Sequence, residues 1–211
     1  MKNSITLTAT ITYTLFAVAQ IINASLMGMN CPSLYWLMED VALGLGTVYD
    51  TLMYTLLFVS IVLFCYGIYK TQVVAKLPTW MRVFTIGLAV FYLGTIICSA
   101  IYGVTICGWR YCGIYVGWRI VLYSCSILWI WLYATRPQTQ SISKSSVKWM
   151  CFVPFIITGI VVIMGIVAGV YLLAKSHVLG LRTGLICNWL MYILPAWLLC
   201  FIAGNSIRTS K

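Results

Sequence analysis

Acid is what this chain lacks most. Its 211 residues include three carboxylates, Glu39, Asp40 and Asp50, against thirteen Lys and Arg. Charged residues make up 8% of the chain and hydrophobic ones 63%, with a mean hydropathy of +1.01, whereas soluble domains run at about 25% charged and about 45–50% apolar. A water-soluble fold is thereby excluded. Histidine occurs once, at His177, so the paired axial ligands of a typical membrane di-haem are excluded as well. There is no phosphate-binding loop, no zinc-protease helix motif and no serine-hydrolase elbow. The potassium-filter sequence is missing, and the last apolar run has no lysine to hold retinal. No cofactor or metal is implied. The net charge of +10 would suit nucleic acid in a soluble protein, but here most cations sit at the ends of apolar runs, where they anchor helices and meet anionic headgroups. The expected partner is a lipid bilayer, not nucleic acid.

What is present is a succession of long apolar runs. They predict an all-α, polytopic transmembrane helix bundle, a single domain over 1–211 with spans at about 5–27, 48–69, 83–106, 113–135, 149–174 and 185–203. The first run is rich in Thr and follows Lys2, so a cleaved signal peptide ending near Ala24 and Ser25 competes with a retained span. Its length favours the span. Asn30, Cys31 and Pro32 predict a helix start, giving a short interfacial helix through Leu43 before a bend at Gly44 and Gly46. The turn with Lys70, Lys76, Pro78 and Arg82 is too polar for lipid. The stretch from Gln138 to Lys148, with four Ser, two Gln and no acid, reads as a loop. The fifth run carries Pro154, Gly159, Gly165 and Gly169, residues that membrane helices accept at packing surfaces, and an oligomer through those glycines is an open option.

Cation placement sets the expected orientation. With the N-terminus in the cytoplasm, Lys2, Lys70, Lys76, Arg82, Arg136, Lys144, Lys148, Arg208 and Lys211 lie inside, and Arg110, Arg119, Lys175 and Arg182 lie outside. This asymmetry follows the positive-inside rule and places both termini in the cytoplasm, in a plasma or secretory-pathway membrane. The acidic strip then faces outward. Cys31, Cys107, Cys112 and Cys187 fall at or near outer span ends, in a compartment that permits disulfides; a bridge from Cys31 to Cys107 or Cys112, a local Cys107–Cys112 bridge, and reduced thiols all stay open. Cys65 and Cys151, near inner ends, are weak palmitoylation candidates.

Chemically versatile side chains therefore gather on the outer side. Arg119 lies seventeen residues before Arg136, or ~25 Å along a helix, near the outer edge of the hydrocarbon core. Asp50 is expected at a similar depth, and an Asp50–Arg119 pair would offset the desolvation of both. Glu39 and Asp40 are adjacent, about 100° apart on a helix, so at most one faces a given pocket. Tyr49-Asp50 matches half of an intramembrane aspartyl-protease site, but no second aspartate exists to share a proton. Gly-Trp-Arg occurs at 108–110 and 117–119, and the two Trp read as interfacial belt residues. His177 is a lone loop histidine, and Asn23-Ala24-Ser25 is a glycosylation sequon close to the membrane.

Three functions remain. In the first, an outward polar pocket binds or passes a small apolar or ionic ligand, with Glu39, Asp40, Asp50 and Arg119 as its contacts. In the second, an enzyme acts on a lipid-soluble substrate with one acid, kept protonated, as general acid. In the third, the chain is a membrane assembly subunit without a small-molecule site.

Overall fold

Five threonines between residues 6 and 14 make a poor helix on β-branched propensity alone, yet they lie in the first helix, α1 (Ser4–Gly28). The hydroxyls explain it. Thr8, Thr10, Thr12 and Thr14 each donate to the carbonyl four residues back, at 2.9, 2.8, 2.9 and 2.8 Å. Their polarity is spent inside the helix, which is what a span in hydrocarbon requires.

The computed structural model describes residues 4–29, 31–32, 34–42, 45–105, 112–173 and 192–205. After α1 come α2 (Leu34–Val41), α3 (Leu45–Thr71), strand β1 (Val73–Ala75), α4 (Thr79–Thr105), α5 (Cys112–Ala134), strand β2 (Gln138–Ser141) and α6 (Lys144–Leu173). A shorter apolar helix, Tyr192–Asn205, follows. Four helical stretches are long and apolar enough to cross a bilayer: Ser4–Gly28, Leu52–Thr71, Thr79–Ile97 and Val116–Ala134. The expected fifth span falls on α6, thirty residues long with Pro154 inside it. The sixth lies partly outside the described residues.

The chain forms two compact units. The first comprises residues 1–76 and 108–140, and the second 77–107 and 141–211. In the first, α1 packs against both α3 and α5. Thr6, Ala9, Thr10, Tyr13, Phe16, Ala17 and Ala24 are its buried face, with the three-and-four spacing of one helical side. Leu7, Ile11, Leu15, Val18 and Ile22 on the other side are exposed. An apolar outer face beside an apolar inner one is the signature of a helix solvated by lipid. Phe16 meets Tyr123 edge-on, with centroids 5.8 Å apart. Lower down, Tyr133 stacks on Trp129 at 5.2 Å and touches Phe64 at 5.3 Å. Gly28 permits the tightest approach, since a Cβ there would stand 3.0 Å from Val116 Cγ1.

Two expectations about the connections are corrected. The polar stretch 138–148 is not a plain loop: its first residues form β2, which pairs with β1, and Lys144 already opens α6. Pairing satisfies backbone groups that a short polar turn would otherwise leave to water. Ser143 caps the helix, its Oγ accepting from Ser146 N at 3.2 Å while its carbonyl accepts from Val147 N at 3.1 Å. The interfacial helix between the first two spans exists but is shorter than expected, Leu34–Val41, and it stops before α3 begins at Leu45. Glu39 and Asp50 are therefore not on one continuous helix.

In the second unit, Met81, Thr85, Leu88, Ala89 and Tyr92 form the buried side of α4, and Leu77 just ahead of it is buried as well. Tyr92 lies 6.4 Å from Tyr192 of the last helix. Pro78 opens α4, its carbonyl accepting from Met81 N and Arg82 N at 3.0 Å, and the Arg82 Nε–H donates to Leu77 O at 3.0 Å.

Candidate functional site

Polar side chains on α1 recur at heights that match polar groups on α5. At the foot of the first unit, Gln138 Nε2 donates to Thr6 Oγ1 at 3.4 Å, and the buried Ala75 N donates to Tyr133 Oη at 3.4 Å. The β1–β2 ribbon closes the same end. The start of α1 and the ends of α3 and α5 are thus gathered at one end, as the expected grouping of the N-terminus with the 70–76 and 136–140 connections requires. About two turns above Thr6 on α1 and one turn before the end of α5, Trp131 Nε1 donates to Thr14 Oγ1 at 3.1 Å.

Higher still stands Arg119. It lies fifteen residues before Ala134, about 22 Å up α5, and Gln20 lies fourteen residues after Thr6, about 21 Å up α1. They meet: Arg119 Nη2 donates to Gln20 Oε1 at 2.5 Å. The guanidinium carbon also lies 5.9 Å from the centre of the Tyr123 ring, within range of a cation–π contact. Arg119 is half-buried between helices, not directed at lipid. Three residues further along α1, Asn23 Oδ1 accepts from Leu34 N at 3.0 Å, supplying the N-terminal cap of α2 from a neighbouring helix. The same bond occupies the asparagine of the glycosylation sequon. Ser25 Oγ donates to Ile21 O at 2.8 Å, so both polar members of the sequon are engaged, Asn23 with α2 and Ser25 within α1.

No family model, curated protein or solved structure matches this chain. The site is therefore read from its own residues.

Of the expected site residues, Arg119 is placed between α1 and α5, and Asp40 is exposed on α2. The backbones of Glu39 and Asp50 are helical, in α2 and in the second turn of α3, while their side chains lie outside the described residues. Asp50 stands twenty-one residues before Thr71, about 31 Å up α3 and so about 9 Å further from the ribbon than Arg119. Among the cysteines expected at outer span ends, Cys31 is an exposed free thiol. Cys107 and Cys187 lie outside the described residues, as does the Cys112 side chain, and no disulfide occurs among the described residues. Arg110, His177, Lys175 and Arg182 also lie outside them. Among the described residues no three His, Cys, Asp or Glu side chains cluster as a metal site would require.

Gln20 and Asn23 were the residues that reading by charge passed over. A signal for them was present: they are the only amides between Ile5 and Met27, and a spacing of three puts them on one side of a helix.

Proposed function

We propose that this multi-pass membrane protein has a polar site at the end of the first unit away from the ribbon, which binds or passes a small ligand or ion. One observation carries the reading. Arg119, at membrane depth on α5, is turned into the bundle and held by the neutral Gln20. A charged group in a span is expensive and ordinarily marks a ligand or ion path when it faces the interior. Asn23 extends the polar line along α1, and Glu39, Asp40 and Asp50 are proposed as the remaining contacts, approached from the α2 side. In this reading the chain has six spans, with both termini cytoplasmic and the site facing the exterior or an organelle lumen.

The test is thermal unfolding of the detergent-purified protein against sodium, potassium, calcium, chloride and phosphate salts and a panel of small aromatic amines and acids. A ligand at one hundred times its Kd adds about 2.7 kcal/mol, so at least one probe should raise the wild-type Tm by several degrees, and Arg119→Leu should abolish that rise. If no probe shifts the wild type and Arg119→Leu is strongly destabilised, Arg119 is a structural tie and the ligand reading fails.

A second reading has one observation in its favour. Gly159 is exposed on α6, and a Cβ added there would meet nothing within 4 Å. Trp149, Phe152, Ile156, Ile160 and Ile163 beside it are exposed as well. A small residue within an apolar stripe suits helix packing against another membrane protein or a second copy. Gly159→Leu should then lower the oligomer fraction seen by cross-linking in membranes and leave monomer stability unchanged.

A further inference from the structure

The ribbon end of the first unit carries three cations. Lys70 closes α3, Lys76 follows β1 directly, and Arg136 stands two residues before β2. Lys70 and Lys76 are exposed. All three carboxylates of the chain lie between residues 39 and 50; Asp50 is about 31 Å away along α3, and α2, which carries the other two, is capped from Asn23 near the opposite end of α1. Tyr69 and Tyr66, in the last and next-to-last turns of α3, are 55% and 50% exposed, placing aromatic rings where the hydrocarbon gives way to headgroups.

Rigidity separates this end from an ordinary pair of basic loops. The pairing of β1 with β2 ties the two connections together. Val74 and Ala75 have no exposed surface, and Ala75 N is bonded to the buried Tyr133 hydroxyl. The backbone that carries Lys76 is therefore fixed before any ligand arrives, so little ordering cost accompanies binding. We infer that the β1–β2 ribbon, through Lys70, Lys76 and Arg136, is a docking surface for the phosphate-bearing headgroups of anionic lipid in the adjoining leaflet. Lysine and arginine near an anionic surface each contribute roughly five-fold in lipid affinity, and three together on the order of a hundred-fold. The surface goes beyond general anchoring of helix ends because it depends on position and not on charge count alone.

The experiment is native mass spectrometry and thermal unfolding of the full-length protein, titrated in detergent with phosphatidylglycerol, with phosphatidylcholine and with inorganic phosphate. Phosphatidylglycerol should be retained and should raise Tm, and the other two should do neither. Lys70→Gln/Lys76→Gln should weaken phosphatidylglycerol binding roughly twenty-five-fold, while Lys175→Gln/Arg182→Gln, which in the proposed orientation removes the same charge from the opposite membrane face, should leave it within two-fold. Single Lys76→Gln, with an expected five-fold loss, serves if the double variant does not fold. Equal binding of phosphatidylcholine, a matching Tm rise from phosphate, or equal losses in the two double variants would each overturn the proposal.

Discussion

Removing Gln20 should harm the protein more than removing Arg119, although Gln20 is neutral. A hydrogen bond to a charged group contributes about 1.5–3 kcal/mol in soluble proteins, while side-chain bonds between membrane helices average about 0.6 and reach about 1.7 kcal/mol. The Arg119–Gln20 bond is short and charge-assisted, which places it at the upper end of the membrane range, about 1–1.5 kcal/mol. Gln20→Leu also strands a guanidinium N–H in a half-buried position, for a total cost of about 2 kcal/mol. Arg119→Leu leaves the neutral Gln20 acceptor without this donor and gives up the contact with the Tyr123 ring, but it relieves the desolvation of the cation, so its net cost is about 1 kcal/mol or less. The double variant should then be less destabilised than the two singles together, by about 1–1.5 kcal/mol. At roughly 2–4 °C per kcal/mol for a chain of this length, that non-additivity is about 3–5 °C in Tm, readable by circular dichroism of the protein in micelles. Additivity within about 0.3 kcal/mol would refute the contact as an energetic link between α1 and α5.

Other expectations follow from single contacts. Tyr133→Phe keeps the ring stack on Trp129 but removes the acceptor of the buried Ala75 N–H, so it should cost about 1 kcal/mol and accelerate hydrogen exchange at Ala75; unchanged exchange would contradict the 3.4 Å bond. Cys31, exposed beyond the end of α1, should react with a membrane-impermeant maleimide from the face opposite the ribbon. Labelling lost in Cys31→Ser and obtained only in inverted vesicles would reverse the proposed orientation. Asn23, engaged with Leu34 N, should carry no glycan, and endoglycosidase treatment should leave electrophoretic mobility unchanged. Because α1 supplies a buried face to both α3 and α5, the mature protein should retain it, and N-terminal sequencing that began after Ser25 would contradict this.

The long helices were legible because lipid imposes a length on apolar runs. The expected bounds 5–27, 48–69, 83–106 and 113–135 fall within a few residues of α1, α3, α4 and α5. The ribbon was not legible. Gln138-Thr139-Gln140-Ser141 has no apolar alternation from which to read a strand, and Val73–Ala75 is three residues long, so both depend on a partner far away in sequence. Arg119 was found because charge is rare in this chain. Its partner was missed because two amides inside a long apolar run do not alter the run's overall character, although they determine which side of α1 turns inward. The bond from Leu34 N to Asn23 was not legible for a related reason, because its acceptor comes from the preceding helix; Asn30, the local choice of cap, lies outside the described residues.

The ribbon makes the first unit a tripod whose feet are tied. Thr6 to Gln138, Ala75 to Tyr133, and β1 to β2 fix the lower ends of α1, α3 and α5 against one another. Any motion among the three legs is then a tilt about that base, and displacement grows with height. A tilt of about 5° moves a side chain 22 Å up by about 2 Å, more than the slack of a hydrogen bond. The link that such a tilt breaks is the one at the top, between Gln20 and Arg119. A small rotation that leaves one membrane face unchanged thus becomes an opening at the other, and spin-label distances should vary more between residues 20 and 119 than between residues 6 and 138.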